Sequence, residues 1–408
     1  MTAPVAVASL GIYLGEDLVG EIVVREDDRT EFSFNSRYLS MHPRPVLGQQ
    51  FEDDLRSTWR SRMQLPPFFS NLLPEERLRE LVAAQIGVST AREAHLLAYL
   101  GEDLPGAVRA LPSGSLPPVS PEESLPHAAD LSHPIKFSLA GMQPKLSMLR
   151  EGRSLTFPAS GRGGNWLVKM PSPRFAGVPE NEFLTMTWAR ESGITVPEFE
   201  LVSVAILENL PEEMREAAGM AFAIRRFDRP SEGRLHIEDF AQVLGVFPSY
   251  QGKYKSANYE TLAAIIRRLH EPSYAEFLRR LVFVALSANG DAHLKNWSLW
   301  YPDRVHPQLA PAYDLVSTIE FLPNDHLGLN LARSKEWSHV RLASFDSLAR
   351  KIGADPQETI QIVKDAVICT LDAWQRVREG ATKSLAEKLE QHWKRLPLAA
   401  DATGHPAA

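Results

Sequence analysis

The chain has 408 residues, 44% of them hydrophobic and 23% charged, which is enough material for two or three globular domains with their own cores. A single cysteine, Cys369, excludes an intramolecular disulfide and any cysteine-based zinc cluster, and it is expected on a buried helix face. The net charge of −7 argues against a protein that neutralises many nucleic-acid phosphates by itself. No apolar run is long enough to span a bilayer, and the first ten residues lack the basic start of a secretory signal, so the expected setting is the cytoplasm, with no membrane partner.

In chain order, residues 8–14, 18–24 and 31–34 read as a small antiparallel sheet, rich in Ile, Val, Leu, Tyr and Phe and joined across Gly15-Glu16-Asp17. After irregular chain with Pro43, Pro45, Pro66 and Pro67, a helix is predicted from Pro74 to Gly87, with Leu78, Leu81, Val82 and Ile86 at helical spacing. A second follows over 90–100. This block, 1–110, shows no catalytic constellation. Residues 111–133 carry Pro112, Pro117, Pro118, Pro121 and Pro126 and are expected to be a linker.

Residues 135–149 read as two strands around a turn at 140–143. Gly141 in that turn either lets backbone N–H groups approach a phosphate or is an ordinary hairpin glycine. The strand 166–170 is interrupted by Lys169, which needs a partner or an exit to water. In kinases such a lysine meets the nucleotide phosphates and a helical glutamate. Glu182, opening a helix that Gly193 ends, is either that partner or a carboxylate complementing the helix N-terminus. Strands are expected over 197–204 and 219–227. Residues 223–229, with Arg225, Arg226 and Phe227 at their centre, then fall where the segment joining two kinase lobes would be, and their backbone is expected to meet an adenine edge.

From 230 to 395 the pattern is nearly all helical. Ser273-x-x-Glu276 has capping-box spacing, and the helix after it is apolar almost all round, hence buried. It delivers the chain to Asn289-Gly290-Asp291-Ala292-His293-Leu294-Lys295-Asn296, and Tyr313-Asp314 follows one apolar run later. Asp, four residues, Asn, then a later Asp is the spacing of a kinase catalytic loop and its metal-binding acid. On that reading Asp291 accepts the proton of the attacking hydroxyl, and Asn296 and Asp314 hold magnesium. The alternative is a turn whose polar side chains bond the local backbone. His293 and Lys295 either neutralise charge at the loop or support it structurally. Later, Asp355-Pro356 is expected to start a helix with Ile360, Val363, Val367, Leu371 and Trp374 as its core stripe, and 396–408 is expected to be a disordered tail. The class is α+β: a small N-terminal subdomain, a nucleotide-binding lobe over 134–229, and a helical catalytic lobe over 230–395, laid out as a two-lobed kinase.

Taken together, these motifs resemble the HipA kinases of bacterial toxin–antitoxin pairs over nearly the whole chain. Ser138-Leu-Ala-Gly-Met-Gln-Pro-Lys145 is similar to the family's phosphate loop, 166–171 to its lysine strand, and Pro179-Glu-Asn-Glu-Phe183 to its helix start. Arg225-Arg-Phe-Asp-Arg229 resembles its hinge, and His236-Ile-Glu-Asp-Phe-Ala-Gln242 its Glu-Asp-x-x-Gln segment. The resemblance implies a serine/threonine kinase fold distantly related to phosphatidylinositol kinases, using ATP and Mg2+. Ala140, Gly141, Met142, Gln143, Pro144, Lys145, Lys169, Arg225, Arg226, Phe227, His293, Lys295, Asn296, Tyr313 and Asp314 would line the nucleotide, and Ser138 would be an autophosphorylation site whose charge ejects the loop. It further implies an aminoacyl-tRNA synthetase, glutamyl type foremost, as protein substrate. A HipB-like helix-turn-helix antitoxin would be the partner, with operator DNA met mainly through it.

Three positions depart from the family pattern: Arg225 where Glu is usual, Pro144 where an acid is usual, and Lys255 after Lys253-Tyr254 where an acid is common. Two other functions compete. A small-molecule phosphotransferase of the aminoglycoside type shares the Asp-x-x-x-x-Asn loop but lacks the Ser138–Lys145 motif and the N-terminal domain. A non-catalytic co-repressor acting through the antitoxin would not need the intact catalytic set.

Overall fold

The computed structural model describes residues 8–25, 29–113, 145–152, 154–157, 163–172, 174–210, 214, 216–322 and 324–404. Ser138, Ala140, Gly141, Met142, Gln143 and Pro144, most of the expected linker, and 405–408 therefore lie outside the described residues. The chain forms two compact units. One comprises the described residues of Met1–Pro144 with Asp228–Gly252 and Trp300–His306, the other Lys145–Phe227, Lys253–Leu299 and the rest from Pro307 on.

The first unit contains the expected meander. Strands β1 (Ala8–Leu14), β2 (Asp17–Val24) and β3 (Arg29–Phe34) pair antiparallel, extended by β4 (Trp59–Arg62) and β5 (Val108–Pro112) in the order β4-β3-β2-β1-β5. Two helices, α1 (Glu76–Gln85) and α2 (Glu93–Leu100), begin two to three residues later than the periodicity predicts. The core is aromatic. Phe32 and Phe51, fully buried, pack on each other and on Phe69 at centroid distances of 4.7–6.2 Å, burying large ring areas in a small volume.

Residues 228–252, of which 228–229 are expected in the nucleotide-binding lobe and 230–252 in the helical lobe, belong to this unit, and buried polar groups sew them into it. The Gly106 N–H donates to Asp228 at 2.8 Å, and Arg229 donates to the Gly106 and Leu104 carbonyls and to Asp103. Hydrophobic periodicity cannot register such bonds. The Glu-Asp-x-x-Gln segment is part of the same stitching. Asp239 and Gln242 form a reciprocal capping box on the one-turn helix Phe240–Val243, and the Gln242 amide also donates to the Phe68 carbonyl at 3.1 Å.

Beside it, fully buried Glu238 accepts from the Gln49 N–H at 3.1 Å and from the Tyr301 hydroxyl. Burial without a cation pushes its carboxyl up to about 8. The folded state keeps a proton that the unfolded chain releases above its ordinary value, so stability falls as pH rises from about 4.5 to about 8. The Glu238→Gln protein should lack this slope. Relative to wild type it should gain roughly 1.4 kcal/mol per pH unit across that window, read from denaturant midpoints at pH 5 and pH 8.

The second unit holds a six-stranded sheet in the order β10-β7-β6-β8-β11-β9, with β6 (Lys145–Glu151), β7 (Ser154–Thr156), β8 (Trp166–Lys169), β9 (Phe199–Ser203), β10 (Leu207–Glu208) and β11 (Met220–Arg225). Helix α3 (Val178–Glu191) lies between β8 and β9 in the chain. Then come α4 (Tyr259–Leu269), α5 (Ser273–Leu286), α6 (Leu342–Ile352), α7 (Pro356–Val377), α8 (Lys383–Arg395) and α9 (Pro397–Thr403). Two short strands, Ser298–Tyr301 and Gln308–Leu309, interrupt the expected all-helical run. Among the described residues no helix is long and apolar enough to cross a membrane.

Three further expectations are corrected. Ser273 does not cap α5: Pro272 holds the cap position, the Ser273 hydroxyl accepts the Leu309 N–H, and Glu276 accepts the Thr195 N–H and pairs with Arg280. Cys369 is exposed, because the buried stripe of α7 runs through Val363, Ala366, Val367, Thr370, Ala373 and Trp374, and position 369 faces outward. Residues 396–403 are not a disordered tail. Pro397 suits the first turn of α9, and Leu396, Leu398 and Ala399 are buried. Ending the chain at Arg395 should therefore destabilise this unit by about 2–5 kcal/mol, as for a large core truncation, and a thermal melt would show it.

Candidate active site

Strand alternation places the site. In β8, Trp166 and Val168 enter the core together with Leu146 and Met148 of β6, so Lys169 and Lys145 project from the other face. The two lysines stand directly opposite each other in the β6–β8 register. Like charges so placed repel. Asp314 resolves the conflict: its Oδ1 lies 2.5 Å from the Lys169 Nζ and its Oδ2 3.3 Å from the Lys145 Nζ. Lys169 also donates to Glu182 of α3 at 2.5 Å. Of the two readings of Glu182, the lysine partner is the one realised.

Lys169 is 3% exposed and Glu182 0%. Burial disfavours the lysine's charge, yet Asp314 and Glu182 overcome this and hold the ammonium well above its ordinary range. The acids share it unequally. Burial raises Glu182 to about 7 despite the pull of Lys169. Burial would raise Asp314 too, but Lys145 and Lys169 together keep it far below the usual carboxylate range. Asp314 also sits at φ +57°, a left-handed conformation that non-glycine residues adopt at a cost, as active-site residues often do.

Asn181, whose residue type alone assigns it no role, connects α3 to the Asp314 segment. Its side-chain oxygen accepts the Ser317 N–H at 2.9 Å, and its amide donates to the Ser317 carbonyl at 3.3 Å. The adjacency Asn181-Glu182 was the available signal: one residue holds the helix to the acid-bearing segment and the next reaches the lysine.

Buried α5 ends at Leu286 and hands over to the predicted loop through Ala288 at φ +50°. Asp291 is 9% exposed. Its N–H donates to the Asn289 side chain at 3.1 Å, and its Oδ1 accepts the Tyr254 hydroxyl. Burial pushes its carboxyl up to about 7; the Tyr254 bond acts against that and the charge of Asp314 adds to it. Asn296 donates from Nδ2 to the Asp291 carbonyl at 2.8 Å, which leaves its Oδ1 without a donor among the described residues. The His293 Nδ1 accepts the Lys295 N–H at 3.2 Å, and the Lys295 carbonyl accepts the Tyr313 hydroxyl at 2.9 Å. His293 and Lys295 thus brace the loop's backbone.

Gly290 passes so close to Asp325 that an added Cβ would stand 2.0 Å from Oδ2, and the Thr318 hydroxyl holds that same oxygen at 2.5 Å. Gly290→Ala should cost about 1–3 kcal/mol through overpacking, read in a thermal melt, and should displace the loop from its bonds.

The hinge backbone is partly engaged within the chain. The Arg225 and Arg226 N–H groups already donate to the Glu198 and Asn165 carbonyls at 2.8 and 2.9 Å, so neither is available to an adenine. The Arg225 side chain is exposed and pairs with Glu198, and Arg226 reaches the Ser147 hydroxyl. Phe227 is the one hinge residue turned toward the site, its ring 6.1 Å from that of Tyr313.

ATP and a divalent metal fit these residues. Lys145 and Lys169 would supply positive charge for phosphates, and the Asp314 carboxylate and the Asn296 Oδ1 would be hard oxygen ligands. Among the described residues no three His, Cys, Asp or Glu side chains gather into a metal cage. That suits a cation held by one or two side chains and completed by phosphate and water oxygens.

A kinase-like α+β fold with a lysine–glutamate–aspartate constellation is what the architecture defines. Family models agree: the HipA-like C-terminal domain matches residues 137–374, and the HipA N-terminal domain matches residues 10–111. A Sinorhizobium fredii protein bearing a kinase name, Y4dM, is 43% identical over 389 residues, 93% of each chain. The serine/threonine-protein kinase toxin HipA of Shewanella oneidensis is 27% identical over 344 residues, 76% of this chain and 75% of that one. A solved complex of HipA from that organism with HipB and operator DNA shares the fold at TM-score 0.74 and 21% identity, covering 97% of both chains. The chain belongs to the HipA family of kinases.

Proposed function

We propose that the protein is an ATP-dependent serine/threonine protein kinase that acts as the toxin of a toxin–antitoxin pair. The observation that carries the reading is Lys169 held between Glu182 and Asp314 at 2.5 Å each, in the same unit as an Asp291 loop of kinase spacing. Asp291 receives the proton of the acceptor hydroxyl through a carboxylate poised near neutrality. Lys169 and Lys145 hold phosphate oxygens, and Phe227 and Tyr313 offer ring faces to the base. Asp314 and Asn296 would hold Mg2+, which when bound supplies charge neutralisation at the β- and γ-phosphates. Lys145, the more distant of the two lysines on Asp314, is the one that yields an oxygen to it.

By kinship the protein substrate is an aminoacyl-tRNA synthetase, with the glutamyl enzyme as first candidate. Phosphorylation of Ser138 would switch the kinase off. A HipB-like antitoxin would restrain it and contact operator DNA, as the composition of the Shewanella complex supports. The family match across both domains favours this over a small-molecule phosphotransferase. Phosphopeptide mass spectrometry after brief induction, wild type against Asp291→Ala, is the test. The expected result is one dominant cellular phosphoserine protein and a modified Ser138 in wild type only. Identical phosphopeptide profiles from both would reject the function.

A further inference from the structure

We propose that Tyr254 and Lys335 are positioning residues for Asp291, holding its carboxylate in the one orientation that turns Oδ2 to the acceptor hydroxyl. The inference rests on the reading of Asp291 as the base. The Tyr254 hydroxyl donates to Oδ1, and Oδ2 receives no bond from any described residue. The tyrosine is itself held on three sides. The residue is 6% exposed, and its ring meets the His293 ring edge-on, with centroids 4.8 Å apart at 88°. The Lys335 ammonium donates to the Tyr254 carbonyl at 3.0 Å and lies 5.6 Å from the ring centroid.

Lys335 also donates to the Gly328 carbonyl at 2.7 Å. Gly328 packs so tightly on the residue after the base that an added Cβ would be 2.7 Å from the Ala292 carbonyl carbon and oxygen. One ammonium therefore ties together the segment that touches the carboxylate of Asp291 and the segment that backs its main chain. A hydrogen bond to one carboxylate oxygen restrains rotation about the Cβ–Cγ bond. Small misplacements of a reacting group cost large factors in rate without altering how the nucleotide binds.

Lys253-Tyr254-Lys255 stands out in the sequence for Lys255, where the family commonly has an acid. The residue that reaches the site is its neighbour.

The test uses the full chain with Mg-ATP. It follows release of labelled γ-phosphate to water and its incorporation into the chain itself, together with calorimetric binding of a non-hydrolysable ATP analogue. Tyr254→Phe should lower kcat about 10- to 100-fold, with the KM for ATP, the analogue affinity and the Tm all within about twofold or unchanged. Lys335→Met should lower kcat in the same selective way, and the double variant should be no worse than the stronger single one, because both act through one carboxylate. Unchanged or raised turnover in folded Tyr254→Phe, or a fall shared equally by kcat and nucleotide affinity, overturns the proposal. Raised turnover would make the tyrosine a plug in the acceptor position. Should Tyr254→Phe fail to fold, Lys335→Met carries the same comparison. Asp291→Asn separates the two levels. If it retains wild-type turnover, the base reading fails. If it is inactive while both positioning variants match wild type, only the present inference fails.

Discussion

Replacing Asp291 with alanine is expected to reduce phosphoryl transfer from ATP by about 10²- to 10⁴-fold, the usual worth of a positioned general base. The fold should survive. The carboxylate is buried and held up near 7 by that burial, so its removal relieves a desolvation cost while forfeiting one bond from Tyr254. The loop's other supports do not run through this side chain: the Asn296 amide bonds the Asp291 carbonyl, and the Gly290 N–H bonds the Thr318 hydroxyl at 2.8 Å. Label transfer measured alongside a circular-dichroism melt separates the outcomes. A folded variant that transfers phosphate at the wild-type rate would remove Asp291 from the mechanism.

Asp314→Asn should act on stability and activity together. Asp314 is the carboxylate between two lysines paired across the β6–β8 register, and it is joined to the more buried of them at 2.5 Å. Its loss leaves Lys169, 3% exposed, with only Glu182, a carboxyl that burial already pushes toward its neutral form. Removing one partner of a buried ion pair costs about 3–5 kcal/mol. Because Asp314 is depressed far below the usual carboxylate range, its contribution is fully present above the unfolded value near 4. It is lost only as pH falls through a strongly acid folded value, so the deficit should persist across neutral pH. Adding Lys145→Met should restore part of the stability by removing the cross-strand repulsion, and it should restore none of the activity. If denaturant midpoints show no loss in Asp314→Asn, the lysines are not held apart by this carboxylate.

Much of this arrangement was legible in the chain. Composition rich in β-branched and aromatic residues located the N-terminal meander, with alternation at 31–34, and a short apolar run located the strand of Lys169. The all-round apolar pattern of 277–286 announced a buried helix, and the polar run after it offered the candidate catalytic loop. Asp291, Asn296, Asp314, Lys169 and Glu182 were all named from spacing and kinship. Less visible were residues whose part is a single polar contact. Tyr254 is one more aromatic in a short helix, and Asn181 one more polar residue in a first turn. Arg225 and Arg226 lie in a hinge motif, yet their N–H groups are consumed by neighbouring backbone.

What the sequence by itself determined is which residue types stand in which local element: a lysine in the outward register of a strand, a glutamate in the first turns of a helix, an aspartate five residues before an asparagine. These follow from steric periodicity and capping, which act over a few residues. Only the tertiary structure decided which charges meet. Asp314 joins lysines 145 and 169 positions back in the chain, residues 230–252 leave the expected helical lobe for the first unit, and 396–403 pack as a helix. The physical reason is range. Backbone preference is settled between near neighbours, whereas an ion pair or a buried hydrogen bond is settled by proximity in space, and proximity exists only once distant segments have packed.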